Sequence, residues 1–170
     1  MPSALNYPEW TGPVAPETKI FRAAEAVFKG DPFLPSFVET WASWRGEDID
    51  LVQLKDISHT QCPFLRLSPY PVASDMETEI SHRAPMMIRC EMAVVGTNSD
   101  VLMNFWHVVR RAIYPQNNTA LRDDIMAVFH QFGAQRPVIK MNAYGAWQDK
   151  DEWPILAAEG SIQFYIEIPT

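Results

Sequence analysis

The sequence predicts an α+β fold in which helices pack on one face of a mostly antiparallel sheet. The chain has 170 residues, enough for one domain with a sizeable core. Residues 86–97 alternate between apolar and partly polar side chains, as in an antiparallel strand. Stretches with apolar residues at helical spacing occur in groups, and these groups separate runs of predicted strands. We therefore expect one α+β domain over residues 17–170, preceded by an extended arm over residues 1–16.

Composition and charge exclude several classes of protein. Apolar residues make up 47% of the chain and charged residues 21%, which is typical of a globular domain rather than a disordered one. No apolar run approaches the roughly 18 residues of a membrane span, and no secretory signal is expected. The net charge is −7, and the longest basic run is Arg110-Arg111. A broad phosphate-binding surface is not expected, because it needs many Lys and Arg side chains.

Residues 1–16 form the predicted arm, since their prolines interrupt both a helix and a central strand. These are Pro2, Pro8, Pro13 and Pro16. Leu5, Tyr7 and Trp10 give the arm apolar side chains that need burial. Two arrangements stay open: the arm packs on its own domain, or it docks on a neighbouring subunit.

The domain begins with two predicted helices. Apolar residues in the stretch 17–28 share one helical face. They are Ile20, Ala23, Ala24, Val27 and Phe28. A second, short helix is predicted near 35–44, because Phe37, Trp41 and Trp44 lie four and three residues apart.

Two predicted strands follow, separated by a loop. The stretch 62–67 predicts a short strand that Ser68-Pro69-Tyr70-Pro71 closes, and an acidic loop with Asp75, Glu77 and Glu79 comes after it. The next strand is the clearest in the sequence, because one of its faces is wholly apolar. Its core-facing side chains are Met86, Ile88, Cys90, Met92 and Val94.

Two helices and two strands complete the domain. Apolar residues at helical spacing predict helices over 100–113 and 119–132. Alternating apolar and polar residues predict strands over 138–147 and 155–168. Asn98 is expected to cap the first of these helices, and Gly160 indicates a bulge or a bend in the last strand. We expect the helices 17–28, 100–113 and 119–132 to cover one face of the sheet.

The sequence contains no motif for catalysis or for a cofactor. Glycine-rich phosphate loops, the GxSxG turn and the HExxH metal motif are absent, and we expect no cofactor and no enzymatic activity. The conceivable zinc ligands are His59, Cys62, His82 and Cys90. Their spacing differs from that of structural zinc sites, so we expect both cysteines to be structural. A nucleophile–base pair of Cys62 with His59 has equally little support.

Two further kinds of function stay open. A small enzyme or ligand-binding domain would use scattered residues, with His82, Arg89 and Glu91 as the first candidates. A subunit of a cellular assembly with the same packing of helices on a sheet is also open. Aromatic and apolar side chains are the candidate contacts with a partner or another copy, because such residues are enriched at interfaces. They are Leu5, Tyr7, Trp10, Trp41, Trp44 and Tyr165.

Four stretches, in a fixed order along the chain, carry a family resemblance. The first two are an amphipathic helix ending at Phe28 and a proline-ended strand over 63–69. After an acidic loop, a strand over 88–96 runs through Asn98-Ser99-Asp100 into a helix. The last is a terminal strand preceded by a small-residue step that starts at Ala157. This order resembles the tail-terminator (tail-completion) proteins of long-tailed bacteriophages.

The resemblance implies a virion structural protein that forms a ring, expected to be a hexamer. Such a ring caps the tail tube, stops its growth and joins it to the neck. The implied partners are other copies of the chain, the tail tube protein and the neck or connector protein. DNA would pass without specific binding, and Asp75, Glu77 and Glu79 would lie in the lumen or a loop, where negative charge repels phosphate. The implied location is the tail and neck of the virion, and the host cytoplasm during assembly.

Overall fold

The computed structural model describes residues 11–14, 16–43, 53–71, 83–115, 119–131 and 138–167. Over these ranges the chain has the predicted α+β fold. Its helices are α1 (Pro16–Lys29), α2 (Leu34–Phe37), α3 (Ser99–Ile113) and α4 (Thr119–His130). Its strands are β1 (Thr40–Ser43), β2 (Phe64–Pro71), β3 (Arg83–Val95), β4 (Val138–Gln148) and β5 (Pro154–Glu167). Two short 3₁₀ turns lie at Leu54–Asp56 and His59–Gln61.

The strands form one sheet in the order β1-β2-β3-β5-β4. β1 runs parallel to β2, and the other three pairings are antiparallel. β3 is paired with β5 along its whole length, from Arg83 opposite Glu167 to Val95 opposite Ile155. The sheet is therefore mostly antiparallel, as the alternation of polar and apolar residues predicts.

The main hydrophobic core lies between one face of the sheet and the helices. The five core-facing side chains predicted for β3 are all buried there. Residues of α1, α3 and α4 cover this face, which confirms the predicted arrangement. Phe129 of α4 and Phe164 of β5, for example, have ring centroids 4.9 Å apart. As predicted, the side chain of Asn98 caps α3 by accepting a hydrogen bond from the backbone N–H of Asp100.

A smaller apolar cluster lies on the opposite face of the sheet, at the end where β3 finishes and β5 begins. Its buried members are Ala42, Ile57, Phe64, Ala93, Ile155 and Ala157. The segment 53–62 packs over it through Ile57, Leu54 and Cys62. One end of this face is therefore closed by a segment with little regular structure.

The helix predicted near 35–44 forms only as far as Phe37, and the rest of that prediction is wrong. α2 ends at Phe37 after one turn, and the chain continues into β1, which pairs with β2. The β-branched and aromatic side chains of Thr40 and Trp41 favour a strand, and pairing with β2 overrides the helical spacing. Trp41 is half-buried against the main core, and Trp44 lies outside the described residues.

β2 is longer than predicted, because Ser68-Pro69-Tyr70-Pro71 continues the strand instead of closing it. Proline has no backbone N–H to donate, so within a strand it occurs where no neighbouring strand would accept a hydrogen bond from it. The described part of β1 pairs only with Phe64–Leu67. The two prolines thus lie beyond the pairing with β1, while β2 keeps its register with β3 as far as Pro71.

Gly160 is explained by a close contact between a helix and the sheet. It lies opposite Cys90 in an unbroken register with β3, and the irregularity in pairing lies in β4, between Met141 and Ala143. A Cβ atom at Gly160 would overlap the indole ring of Trp106 in α3. The glycine therefore allows the Trp106 indole to lie close against the backbone of β5.

Several predictions fall on residues that the structure does not describe. They concern the arm residues Leu5, Tyr7 and Trp10, and the loop residues Asp75, Glu77 and Glu79. Residues 11–14, at the end of the arm, are in neither a helix nor a strand. Tyr165 lies in β5, opposite Pro85 of β3. Among the described helices, none has both the length and the apolar character needed to cross a bilayer.

Candidate functional site

Charged and hydroxyl side chains occupy the face of the sheet opposite the helices, beside the smaller apolar cluster. The strand register aligns them in two neighbouring rows. One row contains Ser68, Arg89, Ser161 and Lys140, and the next contains Arg66, Glu91 and Glu159. We call these seven residues the polar face. β3 contributes Arg89 and Glu91 from the side that the sequence predicts to be partly polar.

Two ion pairs connect strands across the polar face. Arg66 Nε lies 2.5 Å from Glu91 Oε2, and both residues are buried. Arg89 Nε lies 3.1 Å from Glu159 Oε1, and both side chains are half-buried. Glu91 and Glu159 are directly opposite each other in the register, where like charges repel. Each carboxylate is matched by an arginine, so these four charges cancel.

The structure places two of the three candidate residues for a scattered enzyme site on this face. Arg89 and Glu91 are each engaged in an ion pair, with Glu159 and Arg66 respectively. His82 lies outside the described residues. A general acid or base has to reach a substrate proton, whereas Glu91 is buried against an arginine. The pairing favours a structural role for both residues.

A second polar cluster joins the β4–β5 turn to the segment 53–62. We call it the Asp149 corner, and it consists of His59, Asp149, Asp151 and Trp153. Asp149 Oδ2 accepts hydrogen bonds from the backbone N–H and the ring Nδ1 of His59, both at 2.7 Å. Asp149 Oδ1 accepts from the backbone N–H groups of Asp151 and Trp153, both at 2.9 Å. The His59 ring stacks on the Trp153 indole with centroids 4.7 Å apart.

The carboxylate at this corner is held in its ionised form. Burial raises the pKa of Asp149, whose side chain is only 3% exposed, but the hydrogen bonds from His59, Trp153 and Asp151 outweigh it and lower the pKa to about 2. Hydrogen bonds to a carboxylate stabilise its charged form. Asp149 therefore fastens the turn and the segment 53–62 together at neutral pH.

We expect Asp149→Asn to lower the melting temperature at pH 7 by several degrees, because Asn cannot accept all four hydrogen bonds as an anion does. The pKa of Asp149 in the folded chain, about 2, lies below the usual aspartate value of 3.8. The stabilisation is therefore fully present above pH 4 and is lost as the pH falls towards 2. Thermal melts at several pH values should show the difference between variant and wild type shrinking over that range. A constant difference would contradict this account, and Asp151→Asn, at a carboxylate that is 70% exposed, is the matched control.

The Asp149 corner also has the residue types of a metal site. The donor atoms of His59, Asp149 and Asp151 all lie within 4.8 Å of one another. However, both oxygens of Asp149 already accept two hydrogen bonds each, and the ionised carboxylate leaves His59 Nδ1 as a donor. A cation would have to displace these bonds. The geometry therefore favours a hydrogen-bonded link over a metal centre.

The cysteines of the conceivable zinc set are on opposite faces of the sheet. Cys90 is buried in the main core, and Cys62 packs against the smaller cluster. Burial, and secondarily the charge of Asp149, raises the pKa of the Cys62 thiol to about 11. Burial also raises the pKa of Cys90. Because the thiolate is the nucleophile, Cys62 beside His59 is a poor candidate for catalysis.

We expect Cys62 to be alkylated by iodoacetamide at pH 8 at least about a hundredfold more slowly than a free cysteine, since so little of it is thiolate. Cys90 should be labelled only after unfolding in urea. Mass spectrometry of the intact chain measures both rates. Rapid stoichiometric labelling of Cys62 in the folded chain would overturn the structural interpretation. Cys90→Ala should cost about 1 kcal/mol of stability through the lost buried side chain.

Comparison with known proteins does not identify a family. No protein-family model matches the chain, and no curated protein matches it. A solved structure from Akkermansia muciniphila, of a protein without its transmembrane region, is similar at 13% identity and a TM-score of 0.23, over 62% of this chain and 47% of that one. The chain thus spans less than half the length of that protein. A likeness at this level carries no conclusion about function.

Proposed function

We propose that the chain is a virion structural protein, a tail-terminator (tail-completion) subunit whose copies form a ring that caps the tail tube and joins it to the neck. The observation that carries the proposal is that the stretches with the family resemblance are neighbours in space. β2, β3 and β5 are adjacent in the sheet. α1 and α3 pack together on one face of these strands. The resemblance therefore describes one packed unit rather than scattered segments.

The distribution of charge supports a scaffold through which DNA passes without specific binding. The arginines of the polar face are matched by carboxylates, and the chain as a whole has a net charge of −7. Tight binding of a DNA backbone needs several unmatched Lys and Arg side chains on one surface. A negative subunit instead repels phosphate and favours transit.

The proposed partners follow from the position of a ring between tube and neck. Each copy contacts two other copies, and the ring contacts the tail tube protein on one side and the neck or connector protein on the other. A contact between two different surfaces of the same subunit generates a ring when the rotation closes. We propose a hexamer, located in the tail and neck of the virion and in the host cytoplasm during assembly.

The alternative of a small enzyme or ligand-binding domain has less support. Of its candidate residues, Arg89 and Glu91 are held in ion pairs. Among the described residues, the hydrogen-bonded pair of His59 and Asp149 most resembles a catalytic histidine–carboxylate pair. This pair instead fastens the β4–β5 turn to the segment 53–62. The thiol nearest to it, Cys62, has a raised pKa.

Deletion of the gene from the phage or prophage genome that encodes the chain tests the proposed function. Without a terminator, we expect tubes of uncontrolled length and filled heads that are not joined to tails. Expression of the wild-type chain from a plasmid should restore joined particles with tails of uniform length, whereas an empty plasmid should not. Normal tails in the absence of the gene would contradict the proposal.

A further inference from the structure

The β4–β5 turn presents an acidic surface beside an exposed aromatic ring. Asp151 and Glu152 supply its exposed carboxylates, and the side chain of Asp151 is 70% exposed. Asp149 is 3% exposed and is used in hydrogen bonds, and Lys150 adds one exposed positive charge, so residues 149–152 have a net charge of −2. Trp153 is 48% exposed, although one contact of its indole is the stack on His59. An exposed indole next to carboxylates suits an arginine, which can stack on the ring and pair with the acids.

Glu152 lies where the turn closes, and its backbone N–H donates to Asp149 O at 3.0 Å. Its φ angle is 66°, in the left-handed region where glycine or asparagine would be favoured. A glutamate therefore holds a backbone conformation that is unfavourable for it, and its side chain is exposed to solvent. Its charge contributes no ion pair within the described residues.

The last turn of α3 presents the complementary charge. Arg110 and Arg111 are exposed and form the only adjacent basic pair in the sequence. Arg110 donates to the ring of His107 at 3.1 Å. Neither arginine forms an ion pair with a carboxylate of the described residues. Both guanidinium groups are therefore available to acidic groups on another molecule.

Within one copy, these two surfaces are too far apart to meet. α3 begins beside the end of β3, where Gly96 donates to Pro154 O next to the β4–β5 turn. The helix then runs back along the sheet, since Trp106 lies against Gly160, five residue pairs from that end. At 1.5 Å per residue, Arg110 lies roughly 17 Å along the helix from its start. The basic pair thus lies roughly 17 Å along α3 from the end of the sheet that carries the acidic turn.

We propose that the acidic turn 149–153 of one copy docks on Arg110 and Arg111 of a second copy. The inference rests on the proposed function and specifies the contact between subunits in the ring. The occupant is a second copy because the chain itself supplies the complementary charges on two different surfaces. Such a contact is heterologous, as closed rings require. Opposite charges also suppress the wrong pairing of two acidic turns or two basic ends.

Reciprocal charge reversal tests the contact in the complete chain. One variant carries Asp151→Arg and Glu152→Arg, and the other carries Arg110→Glu and Arg111→Glu. Sedimentation velocity at low ionic strength should show an oligomer for the wild type and at least tenfold weaker association for each variant alone. An equimolar mixture should regain the wild-type oligomer, because alternating copies then present opposite charges at every contact. Added salt should weaken association of the wild type and of the mixture alike.

Matched controls separate the contact from the change in net charge. Asp123→Arg with Asp124→Arg, and Arg22→Glu with Lys29→Glu, change the charge equally at exposed helix positions and should associate like the wild type. Reversal of charge at the end of α3 opposes the helix dipole and can lower stability, so rescue by mixing is the decisive result.

The possible failures of the experiment are distinguishable. A wild-type oligomer that neither double variant weakens would overturn this contact and leave the proposed ring intact. Loss of association in the variants without rescue by mixing would also overturn it. A wild-type chain that stays monomeric under these conditions would overturn this contact as one that joins copies in solution, whereas monomers released from virions as well would contradict the ring itself.

Discussion

Glu91→Gln is expected to lower the free energy of unfolding by about 3 to 5 kcal/mol, the largest effect that we expect from a single substitution. Arg66 and Glu91 are both buried on the polar face, with Nε and Oε2 2.5 Å apart. Removal of the carboxylate takes away the anion that lies against the buried guanidinium of Arg66. Urea denaturation, followed by tryptophan fluorescence, measures the loss.

Two further variants show whether the buried charge is the cause. Arg66→Met combined with Glu91→Leu removes both charges and should recover most of the stability, because a buried pair gains little over apolar side chains of similar size. Glu159→Gln breaks the other ion pair, where the glutamate side chain is 32% exposed, and should cost less than about 1 kcal/mol. Equal costs for Glu91→Gln and Glu159→Gln would show that burial does not set the energy of these pairs.

Gly160→Ala is expected to lower the free energy of unfolding by about 1 to 3 kcal/mol, the usual cost of overpacking a core. The added methyl group would overlap the Trp106 indole, which is itself buried between α3 and the sheet. Gly145→Ala is the matched control in β4, because its Cβ would lie 3.5 Å from the nearest Trp147 atom, an ordinary contact.

The contact with Trp106 is isolated by a double-mutant cycle. In a Trp106→Leu background the indole is gone, so Gly160→Ala should cost much less than in the wild type. The same four proteins can be compared by urea denaturation. An unchanged cost in the Trp106→Leu background would show that backbone conformation, and not the indole, requires glycine at this position.

Local periodicity was sufficient to predict the elements that bury one continuous face. β3 alternates from Met86 to Val94 because its even-numbered side chains there fill the main core, and α1 and α3 show stripes for the same reason. The prediction failed at β1, where Phe37 and Trp41 have helical spacing. That strand exists because it pairs with β2, an interaction between segments more than twenty residues apart in the sequence, which local spacing does not contain.

The candidate site depends on contacts that no short stretch of sequence encodes. The predicted partly polar face of β3 includes Arg89 and Glu91, but their partners depend on the register with β2 and β5. His59 and Asp149 are 90 residues apart. The available signal was the charged turn after β4, since an aspartate at such a position commonly accepts hydrogen bonds from the backbone of its own turn.

Electron microscopy of the wild-type chain, concentrated at low ionic strength and also released from virions, tests most directly whether its copies close into a ring. The proposed function predicts closed rings with one fixed number of subunits, expected to be six, around a central channel. The presence of only monomers in both samples, or of open filaments of variable length, would contradict it.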